Sequence, residues 1–179
     1  MFKGLLTAAF VAALTGCATP RSLPTVAQVD LRRYSGKWFE VARLKNRFQR
    51  NNERAIAEYE PLGATAVRVR NTAIGPGGKT RGIEGRAEVV PGSEGARLRV
   101  RFQGFAALAP VSSSGNYWII ALDAQYQSAM VGTPDRCYLW ILSRQPALSD
   151  EAFRRYVAEA SRLGFPTENI IRDQDIAVK

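Results

Sequence analysis

The chain contains no histidine. That removes a Ser-His-Asp triad, histidine-ligated metals and imidazole acid–base chemistry. Cysteine is almost as scarce: Cys17 and Cys137 are the only two, too few for a four-cysteine zinc site. Lysine is limited to Lys3, Lys37, Lys45, Lys79 and Lys179, so arginine carries the net charge of +9. Such a balance suits nucleic acid, anionic headgroups or plain solubility, and only the placement of the arginines discriminates. What is present is ordinary for a packed domain: 179 residues, 46% hydrophobic, which implies one globular unit.

The N-terminus reads as an address. Lys3 is followed by an apolar run from Leu5 to Leu14 and then small residues. The run is shorter than the about 20 residues that span a bilayer, and it fits a secretory leader. Leu14-Thr15-Gly16-Cys17 resembles the bacterial lipobox, in which the cysteine is acylated and becomes the mature N-terminus. Ala18 follows, where Asp favours inner-membrane retention, so the resemblance implies the outer membrane, facing the periplasm. The expected organisation is a leader over 1–16, a lipidated tether over 17–29 and one domain over 30–179. Cys137 is then without a partner and is expected as a small buried apolar residue.

From Gly36 onward the period is two. ERAIAEYEP places Ala57 and Tyr59 opposite Glu58 and Glu60. TAVRVRN places Val67 and Val69 opposite Arg68 and Arg70, and GIEGRAEVV places Ile83, Ala87 and Val89 opposite Glu84, Arg86 and Glu88. GARLRVRFQ places Leu98, Val100 and Phe102 opposite Arg97, Arg99 and Arg101. Such alternation predicts half-buried antiparallel strands, punctuated by Gly- and Pro-rich turns. NYWIIALD, QSAMVG and RCYLWILSR are apolar on both faces and need cover on both sides. The cover is SDEAFRRYVAEASRLGFP: Ser149 caps a helix whose Phe153, Tyr156, Val157, Ala160 and Leu163 share one face. ENIIRDQDIA reads as a final short strand.

The predicted fold is all-β: an eight-stranded antiparallel up-and-down barrel with one C-terminal α-helix packed outside. An outer-membrane barrel is excluded because the arginine faces would lie against lipid. The arginines therefore face water and the apolar residues face inward.

Three stretches carry a family resemblance. Gly36-Lys37-Trp38 before a strand resembles the Gly-x-Trp motif of the lipocalins. Asp123-Ala124-Gln125-Tyr126 resembles their second motif, and YLWILSRQP, with Arg144, resembles the third. The order and the trailing helix fit from about Asp30 to the C-terminus, and the bacterial outer-membrane lipoprotein lipocalins match best. By that resemblance Gly36, Trp38, Asp123, Tyr126 and Arg144 are structural, with Trp38 stacked on Arg144 at the closed end of the barrel.

The resemblance implies a lipid-binding protein in envelope maintenance, taking a fatty acid or lysophospholipid and using the membrane through its lipid anchor, with no cofactor. The lack of histidine and the scarcity of cysteine argue against a metal, and arginines alternating with apolar residues read as a solvated strand face and not as a nucleic-acid site. A homodimer is left open. The candidate cavity lining is Ala57, Tyr59, Val67, Val69, Ile83, Val89, Leu98, Val100, Phe102, Tyr138 and Trp140, each equally readable as plain core. The alternatives are a lipocalin-fold enzyme using carboxylates or Cys137, and a structural protein with a filled barrel. The first is disfavoured because no paired carboxylates stand out and histidine is absent. Glu40 reads as a structural hydrogen-bonding group near the barrel floor. AIGPGGKT departs from a Walker A loop at Ala73 and precedes a strand, so it reads as a hairpin turn.

Overall fold

The computed structural model describes residues 22–104 and 111–176. A short helix, α1 (Leu31–Tyr34), precedes β1 (Gly36–Leu44). The strands β2 (Arg54–Pro61), β3 (Ala66–Ile74), β4 (Thr80–Val89), β5 (Arg97–Phe102), β6 (Tyr117–Leu122), β7 (Ser128–Gly132) and β8 (Leu139–Ser143) follow. They pair antiparallel in sequence order, and β1 closes the ring by pairing with both β8 and β2. The eight strands thus form a closed barrel, with α2 (Asp150–Arg162) outside and β9 (Ile170–Arg172) added to the end of β1. The Gly75–Lys79 stretch is the β3–β4 hairpin turn, closed by the Gly75 amide donating to the Lys79 carbonyl at 2.8 Å.

The alternation in β2 to β5 sets the inside and the outside. Tyr59, Val67, Val69, Leu98 and Val100 are buried together in the barrel interior with Ile119, Ala129, Val131 and Leu142. Burying each large aliphatic side chain contributes roughly 1.5–3 kcal/mol. The both-face apolar strands are covered as their composition requires. Phe153, Tyr156 and Val157 of α2 pack on Val41, Ala42 and Ile141, while Ala160 and Leu163 join Trp118, Ile120, Met130 and Phe165. The Ser149 hydroxyl accepts from the Ala152 amide at 3.2 Å, and the helix carries Asp150 and Glu151 in its first turn.

The stretch expected as tether is packed from Leu23 onward. Leu23 is 4% exposed against Trp118 and Phe165. The Val26 amide donates to the Ile119 carbonyl at 3.0 Å and the Val29 amide to the Glu94 carbonyl at 2.8 Å. Gly95, at φ +81, permits this approach, because a Cβ there would lie 2.5 Å from the Val29 carbonyl oxygen. These contacts run through backbone amides, which leave no periodic signature in the side chains. Asp30 then caps α1, accepting from the Arg32 and Arg33 amides at 2.8 and 3.3 Å.

Candidate functional site

The closed end is built around one arginine. Arg144 leaves β8 with its guanidinium 3.8 Å from the centre of the Trp38 ring. Its nitrogens donate to the carbonyls of Arg33, Tyr34, Ser35, Lys37 and Tyr126 at 2.7–3.2 Å. The Trp38 indole donates to the Tyr34 carbonyl at 2.7 Å. Gly36, at φ +94, brings the chain into β1 beneath this group; a Cβ there would sit 3.4 Å from an Arg144 nitrogen. Asp123 organises the adjoining turn by accepting from the Gln125 and Gln127 amides at 2.9 and 2.7 Å and from the Ser128 amide. Tyr126, held at φ +61, accepts from the Asp30 amide at 3.0 Å and lies under Arg33. All five motif residues therefore meet at one end of the barrel.

Above that plug lie three phenols that sequence reasoning did not single out as a group. The Tyr117 hydroxyl is 2.7 Å from that of Tyr34 and 2.9 Å from that of Tyr59. Burial pushes the Tyr59 phenol up to about 12, and Tyr34 and Tyr117 are also well above the usual tyrosine range. All three stay neutral at physiological pH. Three hydroxyls own three protons but share two contacts, so one O–H is left to donate elsewhere.

A charged pair lies farther along β1. Glu40 and Arg43 are 6% and 1% exposed and are joined at 2.9 Å. Gln49 also donates to Glu40, at 3.0 Å, and Arg43 donates to the Arg50 carbonyl at 2.6 Å. Burial raises the Glu40 carboxyl to about 7 although Arg43 and Gln49 pull it down. Strict alternation predicts Ala42 beside Glu40 on the inner face. A bulge in β1 between Glu40 and Ala42 shifts the register, so Ala42 packs under α2 and Arg43 joins Glu40. Toward the other end Glu53 accepts from two of the Arg81 guanidinium nitrogens, at 3.0 and 2.7 Å, which holds its carboxyl down to about 2.

The expected lining residues divide by position. Tyr59, Val67, Val69, Leu98 and Val100 are buried in the interior, and Ala57, Val89, Phe102 and Trp140 are partly buried against them. Tyr138 stacks on Trp140 at 6.0 Å and meets Phe48 at 5.1 Å, outside the main cluster. Ile83 is 38% exposed. Strand β5 ends at Phe102, opposite Gly85, so no β5 side chain covers Ile83.

Cys137 corrects an expectation. It is exposed, because β8 begins only at Leu139 and Cys137 lies in the β7–β8 turn held by Asp135. Slight desolvation and the neighbouring Asp135 carboxylate raise its thiol pKa, which opposes nucleophilic use. Cys17 lies outside the described residues. Among the described residues no cluster of acidic or cysteine side chains is placed to hold a metal ion, and none of the helices is long and apolar enough to cross a membrane.

The model of the lipocalin-like domain matches residues 29–175. The outer membrane lipoprotein Blc of Escherichia coli strain K12 is 38% identical over 92% of this chain and 90% of its own length. Temperature-induced lipocalin-1 of Arabidopsis thaliana is 32% identical over 81% of this chain and 78% of its own. Insecticyanin of the tobacco hornworm Manduca sexta shares the fold, with a TM-score of 0.60 at 20% identity over 86% of this chain and 85% of its own.

Proposed function

The chain belongs to the lipocalin-like family, and on that premise we propose that it binds a fatty acid or lysophospholipid inside the barrel. It is a lipid-anchored protein of the outer membrane, as its Blc relatives are by name. We assign the anchor to Cys17, and the physiological role to carriage or scavenging of lipid in envelope maintenance.

One observation carries the reading: the inner face of the closed barrel is mainly apolar along its wall, while Ala57, Phe102 and Trp140 on that face remain only partly buried. An acyl chain placed there gains roughly 0.8 kcal/mol per buried methylene. The mechanism is sequestration with no covalent step. The phenol cluster and the Glu40–Arg43 pair offer polar partners for a ligand's head or terminus.

The test is a fluorescent fatty-acid titration of the protein released from the membrane. Val100→Asp places a charge on the inner wall, and even the neutral acid lacks a partner there. Affinity is expected to fall more than about tenfold, or about 1.4 kcal/mol. Glu58→Gln, on the exposed outer face of β2, is expected to bind as the parent does. Equal losses at both positions, with both variants folded, would favour a filled barrel.

A further inference from the structure

Only five residues, 18–22, separate Cys17 from Leu23, which packs on the barrel wall. Fully extended, those steps give the Cys17 backbone a reach of about 21 Å from Leu23. Because Leu23 is packed on the barrel wall, this is a leash on one particular side of the domain. Residues 22–27 line an open groove there with Gly92, Ser93, Glu94, Arg97 and Trp118, and Glu94 makes no ion pair with Arg97.

The same side carries unpaired cations. Arg97 lies over the Trp118 ring at 5.3 Å, and Arg97, Arg99 and Arg101 share the outer face of β5. Elsewhere on the outer face Arg68 pairs with Glu60 at 2.7 Å and Arg70 with Glu84 at 2.6 Å. Glu88, the cross-strand partner of Arg99, is taken by Arg86 at 2.9 Å, and Arg101 stands opposite Arg86 itself. Among the described residues none of the three β5 arginines has a carboxylate partner, and the Arg99 Nε is buried without a hydrogen bond. Strand β2, four strands from β6 around the ring, turns Glu58 and Glu60 outward instead. The cations stand on the leashed side.

We infer that this β5–β6 wall, with Arg97, Arg99, Arg101 and residues 22–27, rests on phospholipid headgroups, its guanidinium groups on lipid phosphates. The inference rests on the Cys17 anchor proposed above. A guanidinium presents a planar fork of donors suited to phosphate oxygens. The leash keeps these charges close to the headgroups, within the range over which an anionic surface attracts them. The barrel then lies on one wall, and β2 faces the periplasm.

The test uses the full acylated chain reconstituted in phosphatidylethanolamine vesicles containing brominated phosphatidylglycerol. A fluorophore is placed on Ala27→Cys or on Glu58→Cys, each in a Cys137→Ser background. Quenching at position 27 is expected to exceed that at position 58 several-fold. Reversing charge in Arg97→Glu/Arg99→Glu/Arg101→Glu, or raising salt to about 0.5 M, is expected to reduce quenching at position 27 toward the position 58 level while the protein still floats with the vesicles. If the triple variant misfolds, the salt arm decides alone. Equal quenching at the two positions, or quenching at 27 indifferent to both charge reversal and salt, overturns the membrane-facing wall. A parent chain that fails to float, as Cys17→Ser is expected to fail, overturns the anchor as well, and flotation reports that separately from quenching.

Discussion

Arg144 gathers five backbone carbonyls and one indole into a single knot, so its removal loosens three segments at once. A cation over an indole is favourable by roughly 0.5–2 kcal/mol, and more when shielded from water. Trp38→Leu and Arg144→Met are each expected to destabilise by a few kcal/mol in urea melts. The double variant is expected to lose less than the sum, with a coupling of about 0.5–3 kcal/mol. Strict additivity would show that the two side chains act independently. These residues were legible because each belongs to a short local stretch beside a strand, Gly36-Lys37-Trp38 and the YLWILSRQP run. The phenol cluster was not, since Tyr34, Tyr59 and Tyr117 come from three separate elements and meet only through closure of the barrel. Cys137 was misjudged because an apolar strand follows it, and nothing in the composition says that the strand starts two residues later.

Among the elements, β2 to β5 and α2 were readable because one face of each is buried and the other wet, which imposes periods of 2 and 3.6. Strand β1 breaks its own period at the bulge, and this decides which charged group is inside. The consequence is measurable. Glu40 is raised to about 7 in the fold from 4.5. The unfolded chain therefore loses this proton near 4.5 while the folded chain keeps it to about 7, so stability falls as pH rises through that window. Asp173, raised by burial from 3.8 to about 6, adds a slope of the same sign. Glu53, lowered to about 2, acts oppositely: its stabilisation is present above 4.5 and is lost as pH falls toward 2. Urea melts at intervals from pH 4.5 to 8 are expected to show stability falling by on the order of 2 kcal/mol. Glu40→Gln is expected to flatten, though not abolish, that slope. Parallel curves for parent and variant would show that Glu40 does not titrate there.

For the molecule as a whole, the barrel separates a mainly apolar interior, with the Glu40–Arg43 pair inside it, from an arginine-rich exterior, and under the inference above its N-terminal segment hands one wall to the membrane. The apolar interior followed from alternation. The packed residues 22–29 did not, because Pro20 and Pro24 and the lack of period suggest a loose tether, whereas the chain is held by two backbone hydrogen bonds and by Leu23. Under the proposed function the barrel interior takes one acyl lipid. Native mass spectrometry of the full chain extracted from membranes is expected to show a one-to-one adduct, beyond the covalent anchor, with the mass of a fatty acid or lysophospholipid, released on activation and displaced by added fatty acid. A chain that carries only its covalent acyl groups, and takes up no added fatty acid, would contradict it.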